Sequence, residues 1–280
     1  MSFLSQVTHA KQTNTTMRTT TVYKCGIPSP QELCRFLSEY SAQLLGCGAT
    51  CIRLENNVQR IAEAYGKEIS MVIMPRHVQI SVWEKGNDES VTAISTVKNS
   101  PISFNVNTRL SELSWEVADG KTDFNQAAER LGKIVKDDRQ DKWTVPVLVA
   151  LANASFCRLF SGDAVAMLTV LAATLAGYSL KTFLLGRGTD NRLAFFICSF
   201  VSSVLGATDI LFAIGDTPAT AMATSVLYLV PGIPYLNSFS DMLCRHYICA
   251  FCRFMDAIVL TGCLSAGLCC GMLLMNVGMF

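Results

Sequence analysis

The spacing of apolar residues changes along the chain and divides it into two parts. Between residues 30 and 65, apolar side chains such as Leu33 and Phe36 recur three and four positions apart, which is typical of amphipathic helices. Three short runs rich in β-branched residues follow, as expected of strands: 71–74, 78–84 and 91–98. Two further helical stretches complete this part. The pattern predicts a small α+β domain over residues 30–142, after a loose tail over residues 1–29.

After Trp143 the chain becomes apolar almost throughout. Of its 23 Lys and Arg residues, six lie beyond Lys142, and no Glu does. Five apolar stretches come near the ~20 residues that cross ~30 Å of hydrocarbon: 144–160, 164–181, 193–214, 218–236 and 255–277. Apolar runs this long make a soluble helical bundle the weaker alternative. The sequence predicts a multi-pass α-helical membrane protein, with about five transmembrane helices over residues 143–280 and an N-terminal cytosolic α+β domain.

Positive charge predicts the orientation of these spans. Residues 1–29 contain no apolar signal segment, so we expect the front domain to stay in the cytosol. The loop from Lys181 to Arg192 and the segment from Arg245 to Arg253 then fall on the cytosolic side, as the positive-inside rule requires. We therefore expect a protein of the cell inner membrane with its C-terminus outside.

Two prolines and a glycine interrupt the fourth predicted span: Pro231, Gly232 and Pro234. A proline lacks the backbone N–H and clashes with the preceding turn, so a regular helix cannot continue through this stretch. In lipid, such a break is tolerated where it is buried in protein or lines a polar cavity, and transporters bind substrates at breaks of this kind. The alternative is that the stretch ends a span and leads into a loop.

Polar residues inside apolar spans are the candidates for chemistry, because they are costly in lipid. Asp209 lies within the third span and is a candidate for proton coupling or for orienting a substrate, or else for a structural pair with Arg158. Asn153 could hydrogen-bond a polar solute. Arg158 could bind a carboxylate, or could simply extend its charge to the membrane surface from a helix end.

Several function classes have little support. A net charge of +1, with no basic run interleaved with aromatic residues, argues against nucleic-acid binding. No phosphate-binding glycine motif and no nucleophile with a nearby base emerges, so we predict neither an enzyme nor a bound cofactor or metal. The 12 cysteines lie mostly in the apolar part or in the domain assigned to the reducing cytosol, which argues against disulfides.

Two separated motifs resemble the threonine/serine exporter family. The first runs from Gly48 through Arg53 and Glu55 to Gly66, and the second comprises 230–234 with Asn237 and Asp241. The resemblance implies a secondary exporter of small amino acids, or of a dicarboxylate such as succinate. It also implies the larger half of a split transporter, which needs a smaller membrane partner subunit or forms a homo-oligomer. Arg53 and Glu55 match the family's charged pair, and each is expected to pair with another element, since residues two apart do not face each other on a helix. They could join the cytosolic domain to the membrane part, or could simply be solvated at the surface.

The favoured hypothesis is a membrane subunit that binds a small polar metabolite beside the broken helix and exports it. Its predicted substrate-binding residues are those named above: Asn153, Arg158, Asp209, Pro231, Gly232, Pro234, Asn237 and Asp241. The alternative is a non-transporting membrane-anchored sensor or scaffold, whose cytosolic domain binds a ligand or partner.

Overall fold

The computed structural model describes residues 28–86, 89–98, 100–137, 144–208 and 215–275. We call residues 28–137 the front domain and residues 144–275 the membrane half. The front domain contains α1 (Pro30–Gly46), α2 (Cys51–Ala64), β1 (Lys67–Ile73), β2 (His77–Glu84), β3 (Ser90–Thr96), α3 (Phe104–Ala118) and α4 (Phe124–Lys136). The membrane half contains α5 (Thr144–Leu159), α6 (Ala164–Gly186), α7 (Asn191–Gly206), α8 (Pro218–Ser225), a 3₁₀ turn (Leu227–Leu229), α9 (Gly232–Leu243) and α10 (Tyr247–Leu274).

Local sequence signals begin the helices of the front domain. Ser29 and Glu32 form a capping box at the start of α1, with Pro30 in its first turn. Asp123 caps α4, as its position in the sequence predicts: its side chain accepts a hydrogen bond from the backbone N–H of Gln126. These caps satisfy backbone groups that a helix end leaves unpaired.

The three strands form one antiparallel sheet in the order β1-β2-β3. Val78, Ile80 and Val82 alternate along β2 and are fully buried, because they face the helices of the front domain. β1 begins at Lys67, directly after Gly66, and is therefore four residues longer at its start than the predicted strand. An ion pair between Lys67 and Glu84, which face each other in the sheet, accounts for the polar start of β1.

Two helices of the membrane half, α6 and α10, are long and apolar enough to cross a bilayer, and α8–α9 makes a third span if the bent pair counts as one. The other two apolar helices, α5 and α7, have 16 residues each and are shorter. Part of the third predicted span, residues 209–214 with Asp209, lies outside the described residues. The number of crossings therefore stays a prediction.

The predicted interruption of the fourth span is confirmed in the structure. The 3₁₀ turn ends at Leu229, and α9 leaves it at an angle of 60°. Pro231 precedes the first residue of α9 and has no N–H to donate to the preceding turn. The chain then continues as a helix of 12 residues, so the break separates two helices.

Small residues let several helices of the membrane half approach closely. A Cβ atom at Gly267 would meet the backbone oxygen of Phe196 in α7, and one at Gly271 would meet the Ser203 hydroxyl. These glycines therefore fit α10 against α7, as their small-residue spacing predicts. Gly262 behaves differently, since a Cβ atom there would have no neighbour within 4 Å.

Candidate functional site

A group of polar side chains lies where α8 and the 3₁₀ turn, just before the bend, pack against α5, α6 and α7. We call it the polar layer; its members are Asn153, Thr174, Ser202, Thr224 and Tyr228. All but Tyr228 are buried, and they come from α5, α6, α7, α8 and the 3₁₀ turn. Uncharged polar groups can be buried at acceptable cost when they hydrogen-bond one another, and they remain able to exchange those bonds with a polar solute.

Asn153 connects three helices in this layer. Its Nδ2 donates to the Thr174 hydroxyl at 2.7 Å and to the backbone oxygen of Thr224 at 3.0 Å. Thr224 is the penultimate residue of α8, where the end of the helix leaves carbonyl groups without their usual partners. The predicted site residue Asn153 thus shares this carbonyl with the backbone N–H of Val226, which also donates to it.

Tyr228 occupies the other side of the layer. Its hydroxyl lies 3.0 Å from the Ser202 hydroxyl, and its ring is 6.3 Å from that of Tyr178. A Cβ atom at Gly177 would collide with the Tyr228 hydroxyl, so the glycine provides the space that this hydroxyl fills. The sequence analysis missed Tyr228 and Ser202; the polar residues that accompany each apolar span are the signal that would have found them.

The proline–glycine stretch contributes backbone geometry to the site. Pro231 is buried, while Gly232 is exposed and a Cβ atom there would have no neighbour within 4 Å. The backbone N–H of Gly232 donates to Val230 at 2.8 Å, which tightens the bend. Pro234 lies in the first turn of α9, where a proline is compatible with a helix.

Arg158 lies away from the polar layer, at the turn between α5 and α6. Its Nη1 donates to the backbone oxygen of Gly162 at 3.2 Å, and the side chain is exposed. The geometry therefore gives Arg158 a role in closing this turn, and any contact with a substrate remains a prediction.

Asp163 ties the same turn to the segment before α8. Its carboxylate accepts hydrogen bonds from the backbone N–H of Ala166 at 3.0 Å and from the Thr217 hydroxyl at 2.8 Å. A third bond comes from the backbone N–H of Asp216 at 3.2 Å. These donors, Ala166 first, hold the pKa of Asp163 below its ordinary value.

The remaining predicted residues of the bent pair reach the front domain. Asn237 donates through Nδ2 to the backbone oxygen of Gly48 at 2.8 Å. Asp241, which is fully buried, accepts a hydrogen bond from the backbone N–H of Cys51 at 2.8 Å. Arg253, which the sequence analysis did not propose for the site, donates to the backbone oxygen of Ala49 at 2.8 Å. The two family motifs therefore meet in space.

Charge at this junction is balanced by an ion pair. Arg253 Nη1 lies 3.4 Å from Asp241 Oδ2, but neither atom has a hydrogen-bond partner in the described part of the chain. The two charged groups therefore attract each other without a hydrogen bond between these two atoms. Interaction with the Cys249 thiol and burial raise the pKa of the neighbouring Cys51 thiol, which stays protonated.

The predicted pair Arg53 and Glu55 bind separate elements, as expected. Arg53 donates to Asn107 Oδ1 in α3 at 3.2 Å, inside the front domain. Glu55 lies 3.3 Å from Nε2 of His246, directly before α10, and so joins the front domain to the membrane half. Across the described ranges, no group of three or more His, Cys, Asp or Glu residues is arranged to hold a metal ion.

Apolar helices long enough to cross a bilayer, together with a bent helical pair close to buried polar groups, are features that membrane transport proteins share. Comparison with known families agrees. The chain belongs to the family described as "Putative threonine/serine exporter", which matches residues 35–275. The exporter family and the apolar helices indicate an inner-membrane protein.

Two curated proteins are similar over most of their length. The "Probable succinate transporter subunit YjjP" of Klebsiella aerogenes is 30% identical over 233 residues, which cover 81% of this chain and 88% of that protein. The protein of the same name from Escherichia coli K12 is 27% identical over 222 residues, covering 78% and 85%. No solved structure gave a significant match. Membership of the family and the names of these relatives support a transporter subunit.

Proposed function

We propose that this chain is the membrane subunit of a secondary exporter for small polar metabolites, either threonine and serine or a dicarboxylate such as succinate. The observation that carries the proposal is the bend of 60° between α8 and α9, placed against the polar layer. A continuous helix would keep its backbone groups bonded internally, whereas a bend offers hydrogen-bonding groups that a passing solute can use.

Within this proposal the solute passes between the bend and the polar layer. Asn153 and Tyr228 provide neutral hydrogen-bonding groups, while Pro231 maintains the bend. Neutral groups can hydrogen-bond a polar solute without the cost of burying a fixed charge in the membrane. Asp209 stays a prediction for the coupling acid and lies outside the described residues.

The proposed transporter works together with a smaller membrane partner subunit, or as a homo-oligomer. Both curated relatives are named as subunits of a transporter, which supports the first form. The front domain faces the cytosol in this proposal, with the C-terminus outside, as the distribution of Lys and Arg predicts.

The test is efflux of radiolabelled threonine, serine and succinate from cells that produce the chain with and without the membrane protein that copurifies with it. We expect efflux of at least one of these solutes above background with the partner present. Pro231→Ala should reduce that efflux at equal membrane levels, because it restores the missing N–H and removes the steric cause of the bend.

Pro146→Ala is the matched control, since Pro146 lies in the first turn of α5, where a proline does not interrupt the helix. Efflux should be the same in this variant as in the wild type. Background efflux of all three solutes under every pairing would contradict the proposal and favour the sensor or scaffold. Normal efflux in Pro231→Ala would reject the role given to the bend.

A further inference from the structure

The turn between α9 and α10 binds the backbone of the front domain. We call the segment 237–253 the corner and residues 48–51 the docking loop. Three side chains of the corner bond three main-chain groups of the docking loop, each at 2.8 Å: Asn237 to Gly48, Asp241 to Cys51 and Arg253 to Ala49. Contacts of this kind depend on the shape of the loop, which Gly48 sets with a φ of 92°.

The two charged residues of the corner, Asp241 and Arg253, each face a group of opposite charge or dipole when the corner is bound to the docking loop. Asp241 meets the first backbone N–H of α2, where the helix dipole favours a negative charge, and Thr50 supplies no side-chain cap of its own. Arg253 lies 3.4 Å from the other oxygen of the same carboxylate. Undocking would return both charges to water, so a large part of the electrostatic gain of docking is offset by the cost of burying them. Because the electrostatic gain and the cost of burial largely offset each other, the contact between the corner and the docking loop can open and close.

The corner is also mechanically linked to the bend. In α9, Ser238 and Asp241 are the buried residues. The helix is held to α10 by a hydrogen bond from Ser238 to the backbone oxygen of Ala250 at 2.7 Å and by the hydroxyls of Tyr235 and Thr261 at 3.0 Å. By contrast, the 3₁₀ turn before the bend is anchored in the polar layer. Motion at Val230 and Pro231 would therefore carry α9 and its corner past the docking loop.

We propose that the corner and the docking loop form a latch by which the front domain regulates the transport site. This inference rests on the proposed function, since it needs a solute to pass the bend. With the latch closed, α9 is held in the position of this structure. Release of Asn237 and Asp241 from the docking loop frees α9 to move about the bend and alternate access to the polar layer.

Hydrogen–deuterium exchange of the full chain with its partner, reconstituted in lipid discs, tests the latch. In the peptide that contains residues 48–54, the Cys51 amide should exchange about tenfold faster when the transported solute is added, because latch opening removes its bond to Asp241, while the amides of Gly48, Ala49 and Leu54 keep their backbone partners. In Asn237→Leu, the Cys51 amide should exchange faster even without solute. The efflux rate of this variant should fall at least about threefold, because α9 loses its docked position, one of the two between which it alternates. Asp241→Asn keeps the shape and an acceptor oxygen for the Cys51 N–H but removes the charge that faces Arg253, so it should change exchange and efflux in the same direction by a smaller amount. This variant guards against a misfolded Asn237→Leu.

Arg245→Gln is the matched control, because Arg245 belongs to the corner but is exposed. Its exchange and efflux should equal those of the wild type. Equal exchange with and without solute in a preparation that transports would overturn the latch and leave the proposed function intact. Absence of efflux in the wild type with every partner would contradict the proposed function itself.

Discussion

The carboxylate of Asp241 accepts a hydrogen bond from the backbone N–H of Cys51 at 2.8 Å, although 190 positions separate the two residues in the chain. One residue follows the bend of the membrane half, and the other begins a helix of the front domain. The bond therefore joins the two motifs singled out in the sequence: each supplies half of one junction.

Removal of the Asp241 carboxylate should destabilise this junction. Asp241→Leu leaves the guanidinium of Arg253, which is 19% exposed, without its counter-charge, and leaves the Cys51 N–H without an acceptor. We expect a loss of about 3 kcal/mol in the free energy of unfolding, measured by thermal unfolding in detergent. In the exposed control Arg245→Gln the change should stay within about 0.5 kcal/mol. Equal stability of both variants would show that the buried pair does not hold the domains together.

Arg60 of the first motif should not be replaceable by lysine. Its Nη1 donates to Asn57 at 2.9 Å and to Ser114 at 2.6 Å, and its guanidinium lies 3.7 Å from the centroid of the Trp115 ring. A lysine keeps the charge but cannot reproduce the planar stacking and the forked donors. We expect Arg60→Lys to lower the free energy of unfolding by about 1–3 kcal/mol. The exposed Arg76→Lys serves as the control, and a loss of the same size in both would contradict the prediction.

Gly177 should tolerate no side chain. A methyl group there would meet the hydroxyls of Tyr228 and Ser202, so Gly177→Ala must displace the 3₁₀ turn or α7. We expect lower efflux and a melting temperature several degrees lower, which corresponds to about 1–3 kcal/mol for an overpacked core. Gly262→Ala places a methyl group in open space and should be neutral or slightly stabilising. Wild-type behaviour of Gly177→Ala would mean that the polar layer is loosely packed.

Asp163 should make the membrane half sensitive to acid. Because its pKa is held below the ordinary value of 3.8, the folded chain binds this proton less readily than the unfolded chain. The contribution of Asp163 to stability is therefore fully present above about pH 4 and is lost as the pH falls through the lowered pKa. Melting temperatures measured from neutral pH to about pH 3 should fall less steeply for Asp163→Asn than for the wild type. Parallel curves would refute this assignment.

Much of the fold follows from local patterns. Helical spacing and caps predicted the helices of the front domain, and alternation predicted the strands, with an error at the start of β1 where Lys67 and Glu68 offer no apolar signal. The bend was predictable because the constraint that proline places on a helix acts within a single turn. The start of α10 was not predicted: it begins at Tyr247, eight residues before the predicted span, because the helix continues out of the apolar stretch towards the front domain.

The site was harder to predict, because its contacts join distant parts of the chain. Asn153 was singled out from its place in an apolar span, but its partners Thr174 and Thr224 lie on other helices. In the structure the side chains of Asn237 and Asp241 bond the docking loop, a partner that nothing in the spacing of the second motif indicates, and their contact with a substrate stays a prediction. Tertiary packing decides which residues of the two domains contact each other. The local spacing of apolar and polar residues in a single sequence does not indicate these contacts.

The claim that the bend and the polar layer form the transport route is tested most directly by efflux from vesicles that contain the purified chain and its partner. Tyr228→Phe removes the hydroxyl that contacts Ser202, while Tyr178→Phe removes one from a neighbouring ring that lacks this contact. We predict that Tyr228→Phe lowers the efflux rate of the transported solute by about tenfold, the effect of one lost hydrogen bond, and that Tyr178→Phe leaves it unchanged. Equal efflux from the wild type and Tyr228→Phe, with equal protein in the vesicles, would contradict the account.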